Sequence, residues 1–138
     1  MSSLAAKTLI KNHFTANWTA TPWFDLSDYL NLSDVPAANE INTWIGLEFP
    51  PATETRVSLG TDTQARESGL IVIHVMVPDG FPATVGDTLT ETARNFVRWL
   101  RLGALFITDI NTPLSYQNDL LTWRSFTFTA NYYYDIIS

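Results

Sequence analysis

Apolar and polar positions change their period several times along the chain, and each change marks an expected element. Residues 3–14 carry Leu4, Leu9, Ile10 and Phe14 on one ragged face, which predicts a short helix capped by Ser2 or Ser3. From Thr15 to Asn42 no period holds, so a long loop is expected there; Trp18, Trp23, Phe24, Tyr29 and Leu30 argue that it packs rather than wanders. Thr43–Phe49 reads as a strand ended by Pro50-Pro51, and Thr55–Leu59 as a shorter one. Gly60–Gly69 is polar and turn-like. Leu70–Val77 is apolar on both faces and rich in β-branched residues, as a central strand must be.

A second helix is expected from a capping-box-like start at Thr84 and Asp87. Its apolar stripe is Val85, Leu89, Ala93, Phe96, Val97 and Leu100, and Gly103 supplies a stop. Leu105–Ile110 is a further strand, followed by a turn at Asn111-Thr112-Pro113. Over Trp123–Asp135, Phe126, Phe128, Ala130, Tyr132 and Tyr134 alternate with polar residues and Tyr133, the signature of a strand with one buried and one wetter face. The expectation is a single α+β domain over residues 1–138, with a mainly antiparallel sheet of about four to five strands and two helices packed on one face.

Composition narrows the function classes. No apolar stretch approaches the ~20 residues a membrane-spanning helix needs, and no basic region leads into an apolar one, so neither a membrane span nor a signal peptide is expected. With no cysteine, disulfides, thiolate nucleophiles and cysteine-bound zinc all drop out. The net charge of −6 opposes tight nucleic-acid binding, which draws on phosphate neutralisation by a basic face. Neither lysine nor arginine occurs between Lys11 and Arg56, whereas Asp25, Asp28, Asp34, Glu40, Glu48 and Glu54 all lie there. These acids form either a solvated loop or an acidic lining that repels DNA.

Candidate chemistry is sparse. His74 interrupts an apolar strand and is expected as a hydrogen-bonded structural histidine; His13 sits at a helix end. Neither has a metal-spaced partner, and no phosphate-cradling glycine loop occurs, so no catalytic, cofactor-binding or metal-binding residue is assigned. Arg94, Arg98 and Arg101 recur at helical spacing on the second helix, with Trp99 between them. They read either as a solvated face paired with Glu91 or as an inter-subunit seam facing acidic residues of a neighbour. Trp99 either closes the core edge or anchors an interface. Tyr133 must point away from the core side of its strand and is a surface or interface residue.

Four segments follow one another in an order that resembles a family: Phe14–Pro22, Trp44–Pro50, Arg66–Pro78 with Gly80, and Trp123–Asp135. Together, over roughly residues 1–135, they resemble the small tail-completion proteins called tail terminators, found in long-tailed (siphophage-type) bacteriophages and phage-derived particles such as gene transfer agents. The stretch from Asp25 to Asn42 is longer than the resemblance leads one to expect before the first strand. The resemblance implies a structural virion protein, not an enzyme. It would form a hexameric ring on the head-proximal end of the tail tube, stop tube polymerisation and join the tail to the neck. Its implied partners are other copies of itself, the major tail (tube) protein and a neck or head-completion protein, with assembly in the host cytoplasm and no membrane involved. DNA would pass through without specific binding. In that setting Arg94, Arg98, Arg101, Trp99 and Tyr133 are the expected subunit interface, and Asp25, Asp28, Asp34 and Glu40 the expected acidic lumen. The alternatives are another neck or head–tail joining subunit, or a monomeric module with a ligand pocket in the aromatic loop.

Overall fold

A computed structural model describes residues 4–29, 43–56, 64–78, 80–111, 114–117 and 123–137. Its framework is one pair of long antiparallel strands, β4 (Gln64–Pro78) and β8 (Trp123–Ile137), in register from Gln64 opposite Ile137 to Pro78 opposite Trp123. Shorter strands line both outer flanks of this pair. Beside β4 lie β2 (Trp44–Glu48) and β3 (Thr53–Arg56), both antiparallel to it. Along the far side of β8 lie β6 (Leu105–Ile110) and β7 (Leu114–Gln117). The edges are β1 (Trp23–Asp25), parallel to β2, and the two-residue β5 (Arg101–Leu102), antiparallel to β6.

The class is α+β and the sheet is mainly antiparallel, as expected, but among the described residues it holds eight strands in place of the expected four to five. The extra strands are too short for a periodic signal; β1 and β5 exist because a longer neighbour offers them backbone partners. The same effect lengthens β4: its polar first turn of sequence, expected as a loop, pairs with both β3 and β8.

Helix α1 (Leu4–Asn17) buries Ala6, Ile10 and Phe14, three positions at i, i+4 and i+8, and runs into what was expected to be loop. Residues 18–29 of that expected loop form β1 and a 3-10 turn, Leu26–Asp28; its remainder, 30–42, lies outside the described residues. Helix α2 (Ala83–Val97) begins at Pro82 without a side-chain cap, so the expected capping box at Thr84 does not form. Both helices join one core with the odd positions of β4 (Ile71, Ile73, Val75, Val77) and the even positions of β8 (Phe126, Phe128, Ala130, Tyr132). They therefore share one face of the sheet. His13 stacks on Phe96 at 4.5 Å, and Phe14 and Trp18 meet the same ring edge-on at 4.9 and 5.1 Å, so aromatic contacts lock the helices together.

Among the described residues the opposite face carries no α-helix, only the 3-10 turn Leu26–Asp28. At the β1–β2 end, Trp44 is fully buried beneath Phe24, and Leu26 packs over Gly46. Towards the β6 end this face carries Phe106, Tyr133 and Arg66, all half-buried. No helix of the described residues is long and apolar enough to cross a membrane.

Candidate functional site

The C-terminus of α2 departs most from sequence expectation. The helix stops at Val97, six residues before the anticipated glycine, with Arg98 as its C-cap at φ −63° and ψ 129°. Trp99 follows at φ +57°, and the Leu100 amide donates back to the Val97 carbonyl at 3.2 Å. This is the backbone of a type II turn, whose third position ordinarily demands glycine. A bulky residue there is a backbone outlier. Its indole is nevertheless 74% exposed, so no burial inside the monomer offsets that strain.

The early helix end separates the three arginines. Arg94 remains on α2 and Arg98 caps it, but Arg101 belongs to β5 and not to a helical face. By register Arg101 lies opposite Phe106, which lies opposite Tyr133, and this places it on the helix-free side of the sheet. Arg94 Nη1 donates to Glu91 at 2.9 Å and Arg98 Nη2 lies 3.5 Å from the same carboxylate, the intrahelical pairing anticipated as one of the two readings. Both pairs are partly exposed, so each contributes little to stability. Beside them a cleft of about 230 Å³ opens, lined by Arg94, Arg98, Trp99, Ile107, Asp109 and Ile110. The buried Arg94 Nε is without a hydrogen-bond partner.

Tyr133 does not stand alone on the surface. Its ring lies 4.8 Å from the Arg66 guanidinium and 5.6 Å from the Phe106 ring. Arg66 in turn donates to both carboxylate oxygens of Asp135, at 2.7 and 3.3 Å. That hydrogen bond raises the Arg66 pKa further, leaving a fixed cation on the helix-free face. Sequence reasoning missed Arg66 and Asp135. The usable signal was parity, since Arg66 and His74 fall on the same face once β4 is recognised as starting at Gln64.

The expected acidic lumen divides as well. Asp25 is only 4% exposed and faces α1. Its carboxylate accepts from the Ser27 amide at 3.0 Å, the Ser27 hydroxyl at 2.7 Å and Lys11 Nζ at 3.1 Å, with Lys7 Nζ 3.8 Å away. Burial pushes this carboxyl up, but the two Ser27 hydrogen bonds and the Lys11 charge outweigh it and hold the pKa below the ordinary value. Asp25 is thus an internal anchor of α1, paired within the chain. Asp28 is exposed, as are Glu48 and Glu54; Asp34 and Glu40 lie outside the described residues.

Among the described residues the best-connected polar chain runs Ser125, Thr127, His74, Glu48. The links are 2.9 Å between the hydroxyls, 3.0 Å to His74 Nδ1, and 2.6 Å from Nε2 to Glu48 Oε1. Ser125, at the inner end of this chain of hydrogen bonds, is 1% exposed. His74 is hydrogen-bonded through both ring nitrogens, and the chain of bonds satisfies polar groups on this face of the sheet.

Asp28, Glu48 and Glu54 all belong to the β1–β2–β3 flank of β4. Arg94, Arg98, Arg101 and Trp99 lie at the β5–β6 flank of β8, in company with Glu91 and Asp109, whereas Glu54 shares β3 with exposed Arg56 and lies on the helix side, opposite Glu67, and Glu48 faces His74 on the other side.

No protein-family model matches the chain. No curated protein matches it either. Several solved structures resemble it; one has a TM-score of 0.56 at 18% identity, covering 93% of this chain and 94% of its own. At that identity the likeness shows the fold alone.

Proposed function

We propose that this chain is a structural ring subunit that caps the head-proximal end of a phage-type tail tube, stops its polymerisation and joins it to the neck. The observation that carries the reading is an exposed tryptophan beside Arg94 and Arg98 at the β5–β6 edge, a contact surface that this chain leaves uncovered, with exposed Asp28, Glu48 and Glu54 among the residues of the opposite flank. Two different complementary patches on one chain generate head-to-tail contacts, which close into a ring when the rotation allows. The order of the four sequence segments supplies the choice of ring, since they resemble tail terminators. In this reading the ring is hexameric, resides in the virion and passes DNA without binding it, for which a chain of net charge −6 is suited.

Electron microscopy of particles assembled with and without the gene product tests the proposal. Overlong or irregular tails that fail to join heads in its absence are the expected result. Tails of normal length with only the head joint defective would assign the chain to the neck instead. Unchanged particles would overturn the assembly role.

A further inference from the structure

We infer that the hollow beside Tyr133, on the face of the sheet away from α1 and α2, is a binding site for an uncharged saccharide ring. The inference goes beyond the ring-cap reading and does not depend on it. The hollow has a volume of about 450 Å³, within the roughly 300–1,000 Å³ usual for small-molecule sites. Ser68 lies opposite Tyr133 and Leu70 opposite Asn131 across the β4–β8 pair, so all four side chains stand on this face. Asp109 joins them from β6, opposite Asn131. In a regular strand Thr108 and Asp109 would point to opposite faces; the bulge between Ile107 and Asp109 lets both line the hollow.

The polar groups of the hollow are set in place by the protein itself. Asp109 Oδ1 accepts from the Thr108 hydroxyl and from Asn131 Nδ2, each at 3.0 Å. Among the described residues Asp109 Oδ2, the Asn131 side-chain carbonyl and the Ser68 hydroxyl take part in no hydrogen bond. Two neighbouring acceptors, held together by one hydrogen bond, call for a ligand that brings paired donors, as the adjacent hydroxyls of a sugar do; Ser68 can give or take a further bond. The Tyr133 ring, Leu70 and Pro51 supply apolar wall for the C–H face of the same ring. Charge selects a neutral occupant. An anion would meet Asp109, and the nearby Arg66 already donates to both carboxylate oxygens of Asp135. A cation drawn to Asp109 would share the Tyr133 ring with the Arg66 guanidinium, 4.8 Å away, and like charges repel.

Titration of the full chain with glucose, galactose, mannose and N-acetylglucosamine, followed by NMR at the backbone amides, tests this. Concentrations up to about 50 mM exceed the roughly millimolar Kd open to one sugar ring on a shallow site. Saturable shifts at residues 68–70, 108–109 and 131–133 with at least one of these sugars are expected. Asp109→Ala and Asn131→Ala should each raise the Kd by about tenfold or more. Both side chains are exposed, and a variant spectrum that matches wild type away from the hollow shows that the fold is kept. Trp99→Ala, in the neighbouring cleft, should bind like wild type. Propylammonium at the same concentration should leave the spectrum unchanged. No saturable shift with any of the four sugars overturns the inference. So does binding that survives both Asp109→Ala and Asn131→Ala, or is lost with Trp99→Ala, and so does a response of the same amides to propylammonium in place of the sugars. The ring-cap reading fails separately, on particles whose tails are normal without the protein.

Discussion

Gly86 of α2 and Phe126 of β8 lie so close that a Cβ on residue 86 would sit 2.1 Å from Phe126 Cε2. This contact sets the depth at which α2 rests on the sheet, with Thr90 one turn later buried and its hydroxyl donating to the Gly86 carbonyl at 2.6 Å. Gly86→Ala should gain roughly 1 kcal/mol of helix propensity. The displaced ring and shifted helix should cost more, for a net loss of about 1–3 kcal/mol. Urea unfolding measures it; a midpoint equal to or above wild type would show that the helix lifts without cost.

His13 joins the helices through its stack on Phe96, and burial lowers its pKa from the ordinary value of 6.5. The folded state therefore prefers the neutral ring, whereas the unfolded chain takes up a proton near the ordinary value. Stability from this site is complete above pH 6.5 and is lost as pH falls from there through the folded-state pKa. His13→Gln should flatten the stability profile between about pH 7 and 5. Parallel profiles for the two proteins over that range would refute the assignment.

Tyr132 lies across Gly69, and its hydroxyl donates to the buried carboxylate of Glu67 at 2.5 Å. Removing that hydroxyl leaves a buried acceptor without one of its donors. Tyr132→Phe should destabilise by about 2 kcal/mol, the usual range for a hydrogen bond to a charged group. A lower midpoint in urea with an unchanged m-value is the expected signature. A loss below about 0.5 kcal/mol would mean that other contacts satisfy Glu67 unaided.

Trp99 holds a left-handed backbone while its side chain stands exposed. A left-handed backbone costs a residue with a Cβ about 1–2 kcal/mol, and glycine avoids it at the cost of a more flexible unfolded chain. Trp99→Gly should therefore be more stable than Trp99→Ala by about 1 kcal/mol, as read from urea unfolding. Equal stability of the two variants would show that the turn relaxes in solution and holds no strain.

The two helices, the strand Leu105–Ile110 and the last strand were legible because each carries its own period over enough residues to be read locally. Ile10 and Phe14, Ala93 and Val97, and the Phe126–Tyr132 alternation state which side is buried. Strands β1, β3, β5 and β7 were hidden or only partly visible, since two to four residues carry no period and their pairing depends on β2, β4, β6 and β8. The arginine face was misplaced for a related reason: helical spacing continues through Arg101, but the backbone turns at Trp99. Local pattern favours glycine at that turn, so nothing in the sequence announces it.

Sequence alone determined the class of the fold, the core faces of its long elements, the absence of cysteine chemistry and the acidic run before Arg56. These follow from composition and short-range periodicity. Only the tertiary structure decided that Asp25 turns inward to Lys11 and that Arg66 joins Tyr133 and Asp135. It also decided that Trp99 stands exposed beside Arg94 and Arg98, across the sheet from Asp28 and Glu54. Those relationships depend on strand order and on where a helix ends, and both are set by long-range pairing along β4 and β8, which no local window contains.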